Sequence, residues 1–151
     1  MAAAVSLRPA RDDDRDAVAI LWRASAGLPG VATAQLPPPA AIRARVDRDL
    51  AAGWVLSVAQ SGEDLVGMLA LRPDLAVLDQ IFVAPGWLGR GVGRLLMDAA
   101  KIAMPAGFTL HTGLDNHRAQ RFYAASGLAL LGDRPDPRTG ATVRFYQWRR
   151  A

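Results

Sequence analysis

The stretch Ala84–Pro105, "APGWLGRGVGRLLMDAAKIAMP", places Gly89, Gly91 and Gly93 within five residues and then passes into an amphipathic pattern. Val92, Leu95, Leu96, Ala99 and Ala103 recur at helical spacing as far as the stop at Pro105 and Gly107. The preceding "LAVLDQIFV" is short of polar residues, which predicts a strand in the middle of a sheet. Strand, glycine loop and helix follow one another directly, so what the loop admits decides what kind of α/β domain this is.

Two nucleotide-binding readings fail on position. A dinucleotide fingerprint counted from Gly89 needs its third glycine where Arg94 stands, and counted from Gly91 where Leu96 stands. Gly86 and Gly91 have the spacing of a P-loop, but Val92 fills the lysine position. Two readings remain. Either the glycines expose backbone N–H groups at a helix N-terminus, where the helix dipole favours an anion, or they only make a tight strand-to-helix turn.

Outward from the loop, the elements read β-α-α-β-β-β-α-β-α-β-β. "AVSLRPA" is a short strand and "RDDDRDAVAILWRAS" a helix with acids in its first turn. The Gly/Pro-rich "AGLPGVATAQLPPPA" leads to a second helix, "AAIRARVDRDLAAG", closed by Gly53. "GWVLSVAQ" and "LVGMLALRP" form a hairpin about the turn "SGED". After the glycine-loop helix come the strand "FTLHTGL" and the helix "NHRAQRFYAASG", with Asn116 as N-cap and Gly127 as stop. "LALLGD" and "ATVRFYQWRR" close a last hairpin. The chain shows no internal repeat and no linker, and its 151 residues suit a single domain, 1–151.

Composition narrows the chemistry. The chain has no cysteine, which rules out an acyl intermediate on a protein thiol, and its two histidines, His111 and His117, are too few for a histidine-rich centre, so no metal is expected. The net charge of +4 rests on arginines dispersed among aspartates, which predicts a solvated surface and no nucleic-acid partner. Apolar runs fall short of a membrane span and "MAAAVSLRPARDDD" lacks the pattern of a secretory signal, so the expected location is cytoplasmic, with no membrane partner.

"IFVAPGWLGRGVGRLL" followed, after one strand, by "NHRAQRFYAASGL" resembles the two signature segments of the GCN5-related N-acetyltransferase superfamily. The second matches the pattern N-x-x-A-x-x-F-Y-x-x-x-G at Asn116, Ala119, Phe122, Tyr123 and Gly127. The resemblance covers nearly the whole chain. It implies a mixed α/β fold whose central, mostly antiparallel sheet of about seven strands is flanked by about four helices. It also implies transfer of an acetyl group from acetyl-CoA to a primary amine of a small molecule or peptide. Leu88 departs from the family pattern, which has glutamine or arginine there, and Arg90 or Arg94 is a candidate to supply the missing charge.

Further roles follow from the resemblance. The backbone of Ile81, Phe82 and Val83 would pair with the pantetheine arm, an amide near Val83 facing the thioester carbonyl. Leu88, Gly89, Arg90, Gly91, Val92, Gly93 and Arg94 would cradle the pyrophosphate, and Asn116, Ala119, Phe122 and Tyr123 would complete the cofactor site. Tyr123 is the candidate acid for the leaving thiolate, set against a plain packing role beside Phe122. His111 and Asp79 both stand as candidate bases, His111 ahead: imidazole titrates in the physiological range, and alternation puts Asp79 on the strand face of Val83. Trp22 and the loop Ala24–Pro39 would line the acceptor site, and His117 reads as surface. A homodimer is expected by family analogy, and an acyl-CoA-binding module of the same fold is the alternative to an enzyme.

Overall fold

The computed structural model describes residues 4–32 and 35–150. The elements are β1 (Ser6–Pro9), α1 (Arg15–Ala26), α2 (Pro39–Ala52), β2 (Val55–Ser61), β3 (Asp64–Arg72), β4 (Val77–Val83), α3 (Val92–Ala103), β5 (Phe108–Gly113), α4 (His117–Ala125), β6 (Ala129–Pro135) and β7 (Thr142–Trp148). This is the expected order, with ends shifted by a residue or two, except that the first helix starts four residues later than read, at Arg15, because Asp12–Asp14 form a 3-10 turn. "LAVLDQIFV" loses its first residues to a short 3-10 turn at Pro73–Leu75, and Ala76 takes a left-handed φ of 54° before β4 begins.

The strands form one seven-stranded sheet in the order β1-β2-β3-β4-β5-β7-β6, antiparallel except where β4 meets β5. β4 is central, as its apolar sequence predicts. Each face carries its own core. On one, α3 and α4 pack through Leu96, Met97 and Tyr123 against Leu69, Leu71, Phe108 and Leu110. On the other, α1 and α2 pack through Val18, Trp22 and Val46 against Val58, Met68 and Trp54. Burying a side chain such as Leu96 contributes about 2 kcal/mol, so a few such residues anchor each helix layer. α3 lies especially close: a Cβ added at Gly67 would stand 3.0 Å from both Leu96 and Val92.

Several of the arginines that look scattered in sequence pair with aspartates in space. Arg15 and Arg43 bridge Asp47, and Arg43 also reaches Asp16, tying α1 to α2. Arg8 holds Asp14 through two nitrogens, joining β1 to the start of α1. None of the described helices is long and apolar enough to cross a membrane.

One irregularity corrects the sequence reading. Between β3 and β4 the register slips: Ala70 faces Gln80 while Leu71 faces Leu78, which leaves Asp79 as an extra residue in a β-bulge. A bulge interrupts the two-residue alternation, so Asp79 does not share the face of Val83. Leu78, Ile81 and Val83 pack toward α3, whereas Phe82 packs toward α1 and α2. Asp79 goes with Phe82, its carboxylate bonded to Trp54 of that core.

Candidate active site

β4 and β5 pair at a single register position, Val77 with Thr109, and diverge beyond it. A parallel pair that separates leaves a free strand edge on each wall of a wedge, with backbone groups that a ligand can satisfy. A cavity of about 1050 Å³ fills this wedge. It runs from the glycine loop, past Ile81, Phe82 and Val83 of β4, to the side of the sheet covered by α1 and α2. The carbonyl of Val83 at the end of β4 accepts a hydrogen bond from Ser25 Oγ at 3.0 Å, which fixes α1 against this wall.

At the loop end, Gly91 caps α3 at a φ of 85° and no side chain completes the cap. The N–H groups of the first helical turn therefore have no intrahelical acceptor, and the positive end of the dipole opens beside them. Gly89 also has a positive φ, 75°, so two of the three glycines are needed for the path of the turn. Gly93 has ordinary helical geometry. A Cβ there would stand 3.4 Å from the ring of Phe122 and 3.7 Å from Val83, so this glycine keeps open the gap between α4 and β4.

The structure separates the loop's side chains. Leu88, Gly89, Gly91, Gly93 and Arg94 line the cavity. Val92 is buried in the α3 core, leaving only its backbone for a ligand. Arg90 is not among the lining residues; its guanidinium stacks over Trp87 at 5.0 Å. Of the two candidate cations, Arg94 is the one at the cavity wall. Arg118 and Arg121 of α4 join it there, and among the described residues none of these three makes an ion pair. The sequence reading missed Arg118 and Arg121, although Arg118 lies one helical turn before Phe122 and so shares its side of the helix.

α4 begins as its sequence predicts. Asn116 Oδ1 accepts a hydrogen bond from the N–H of Ala119 at 3.2 Å, and Asn116, Ala119, Phe122 and Tyr123 all line the cavity. Gln120 braces the helix start, donating to the carbonyls of Gly113 and Leu114 and accepting from Arg144 of β7. Tyr123 is buried between Phe122 and Tyr146, with ring centroids 5.7 and 5.5 Å away. Burial, with Tyr146 alongside, pushes its phenol well above the usual value. The group holds its proton at neutral pH. Burial also makes a lasting phenolate costly, so Tyr123 is suited to donate a hydrogen bond, or a proton that it soon recovers. Packing in the core does not preclude donation by the same residue.

The other end of the cavity lies on the opposite face of the sheet. His111 alternates with the buried Leu110 and Thr112, is exposed, and packs on Phe145 at 5.2 Å. Val77 and Thr109 are in register, so Asp79 and His111, each two residues further on, stand on opposing walls just past the vertex. Both line the cavity. Asp79 Oδ2 accepts from the indole N–H of Trp54 at 2.6 Å, and Oδ1 lies 3.9 Å from Arg138 Nη2 on the β6–β7 hairpin. Trp22 is at once buried core, 5.4 Å from Trp54 and 6.5 Å from Phe82, and cavity wall. Leu28, Pro29, Val31 and Ala32 line the cavity from the loop Ala24–Pro39, in which Thr33 and Ala34 lie outside the described residues. His117 is exposed and takes no part in the lining, as expected. Trp54, Arg45 and Arg138 were not singled out from sequence, because their roles depend on contacts between distant segments.

Comparison with known proteins agrees with this geometry. The sequence profile of the acetyltransferase (GNAT) family matches residues 19–128. None of the curated proteins compared with the chain matches its sequence. Among solved structures, a GCN5-related N-acetyltransferase from Rhodopseudomonas palustris superimposes with a TM-score of 0.79 at 20% identity, over 99% of each chain. The PaiA N-acetyltransferase of Thermoplasma acidophilum, solved in complex with coenzyme A, gives 0.76 at 15% identity over 97% of this chain and 99% of its own. YncA of Salmonella typhimurium, solved with its cofactor acetyl-CoA, gives 0.70 at 15% identity over 97% and 94%. At these identities the likeness shows a shared fold.

Proposed function

Because this chain belongs to the acetyltransferase (GNAT) family, we propose that it is an N-acetyltransferase that moves an acetyl group directly from acetyl-CoA to a primary amine. The observation that carries the reading is the single cavity that joins the uncapped start of α3 to Asp79 and His111 through the β4–β5 wedge, with Tyr123 in its wall. Structures of the same fold hold acetyl-CoA or coenzyme A.

The residues suit such a ligand. The first turn of α3 offers N–H groups to a pyrophosphate, Arg94 adds positive charge where Leu88 offers none, and the free edge of β4 at Ile81–Val83 offers backbone partners to an amide-bearing arm. Acetyl-CoA would supply the activated acyl carbon. His111 takes the proton from the attacking amine, with Asp79 across the wedge as its partner or rival. A new C–N bond forms as the C–S bond breaks, and Tyr123 donates to the departing sulfur. An acyl-cysteine route is closed to a chain without cysteine.

The test is thiol release from acetyl-CoA over a panel of amino acids, polyamines, aminoglycosides and peptide N-termini. Amine-dependent release is expected. Tight acetyl-CoA binding with no release on any amine would instead make the protein an acyl-CoA-binding module.

A further inference from the structure

Arg45 is the best-placed unexplained charge in the molecule. It projects from the middle of α2, and its guanidinium lies 4.7 Å over the ring of Trp22, a wall of the acceptor half of the cavity that Arg45 itself also lines. Its one ion pair among the described residues, Nε with Asp49 Oδ2 at 3.3 Å, is long and lies within the same helix. Nη2 is shielded from solvent and has no hydrogen-bond partner among the described residues, although about a quarter of the side chain, 25%, remains exposed. A guanidinium does not lose its proton to escape burial, so a shielded N–H without an acceptor is a standing cost unless a ligand relieves it. The planar fork, held flat on an indole, matches a carboxylate in particular.

The surroundings say which end of an acceptor belongs here. Trp22 packs on Trp54, and Trp54 holds Asp79, so the pair of indoles separates the arginine from that candidate base. Arg138 reaches the same half of the cavity from the β6–β7 hairpin. Arg45 lies at one end, and Asp79, with Arg138 beside it, at the other. That polarity fits a molecule with a carboxylate and an amine and is wrong for a polyamine, whose second ammonium would meet Arg45.

We propose that Arg45, held on Trp22, binds the carboxylate of the acceptor, so that the substrates are amino acids or closely related amino carboxylates. The proposal rests on the acetyltransferase reading for the acceptor's amine, but the anion site stands on its own geometry. Its position on the α1–α2 face, across the sheet from the α3 loop, separates it from any site for the phosphates of acetyl-CoA.

The experiment compares matched acceptors, an amino acid, its amide and its decarboxylated amine, for wild type, Arg45→Gln and Asp49→Asn. Thiol release and quenching of tryptophan fluorescence by the same compounds are both recorded. Wild type should favour the carboxylate by about 10- to 100-fold in kcat/KM, mainly through KM, and Arg45→Gln should lose that preference with its KM for acetyl-CoA unchanged. Asp49→Asn, which removes the intrahelical pair alone, should keep the preference and so separates recognition from helix stability. Equal use of all three acceptors by wild type, or an unchanged preference in folded Arg45→Gln, overturns the proposal even if transfer is robust. Carboxylate-selective quenching that requires Arg45, without any transfer, upholds the anion site and overturns the catalytic reading.

Discussion

Replacing Gly93 by alanine separates a glycine kept for a ligand from one kept for the fold. The new Cβ would lie 3.4 and 3.5 Å from the Phe122 ring and 3.7 Å from Val83, ordinary contact distances that require no backbone movement. Position 93 is the second residue of α3. Alanine there removes the backbone entropy cost of glycine, a gain of up to about 0.5–1 kcal/mol, and Tm should rise by about 1–4 °C. The same methyl fills the gap between Phe122 and Val83 that opens into the cavity. If a ligand phosphate approaches the first-turn amides there, losing one charge-assisted hydrogen bond costs about 1.5–3 kcal/mol, or roughly a 10- to 100-fold weaker Kd for acetyl-CoA. Thermal melting and isothermal titration on the same preparation give both quantities. A higher Tm with weaker binding is the expected pair, whereas a higher Tm with unchanged Kd would refute the ligand role of this turn. Gly91→Ala is the contrasting control: nothing lies within 4 Å of its Cβ, but its φ of 85° makes alanine strained by about 1–2 kcal/mol, so Tm should fall.

Three other outcomes are expected. Tyr123→Phe should lower kcat by about 10²- to 10⁴-fold while acetyl-CoA affinity and Tm change little, and activity within a few fold of wild type would leave Tyr123 a packing residue. His111→Ala should remove the acidic limb of the pH–rate profile; a retained limb would shift the base to Asp79. Arg8 and the N–H of Arg11 hold the Asp14 carboxyl at about 2, below its ordinary 3.8, so the stability it adds is complete above that ordinary value and is lost as pH falls from 3.8 through about 2. Asp14→Asn should therefore cost about 1 kcal/mol near pH 7, allowing for solvent screening, and almost nothing near pH 2, measured by urea melts at the two values.

The elements and their order were legible because each carries its own period and stop signals: Val92 to Ala103 reads as a helix, Asn116 as its successor's cap, "SGED" as a turn. What depends on pairing between strands was not. The bulge that turns Asp79 toward Trp54 arises from a slip between β3 and β4, and nothing within "LAVLDQIFV" marks it. The divergence of β4 from β5 past Val77 is likewise a property of two strands together, yet it creates the cavity. Among the loop arginines, sequence offered Arg90 and Arg94 equally. The choice came from Trp87, which takes Arg90 onto its ring and leaves Arg94 at the wall. Arg45 looked like one more charge on a helix until Trp22, twenty-three residues earlier, lay beneath it.

The question raised by the glycine stretch now has parts. Gly89 and Gly91 shape the turn, and Gly93 keeps open the gap beside it. Leu88 lines the cavity as an apolar side chain, so an anion there would rely on backbone amides and Arg94.

The most direct test of the central claim is to incubate the protein with isotopically labelled acetyl-CoA and an amino acid, then follow product and protein together by mass spectrometry. The account predicts a labelled N-acetyl product formed in step with free thiol, while the protein itself stays unacetylated. Bound acetyl-CoA with no labelled amine, or label accumulating on the protein before it reaches the amine, would contradict direct transfer.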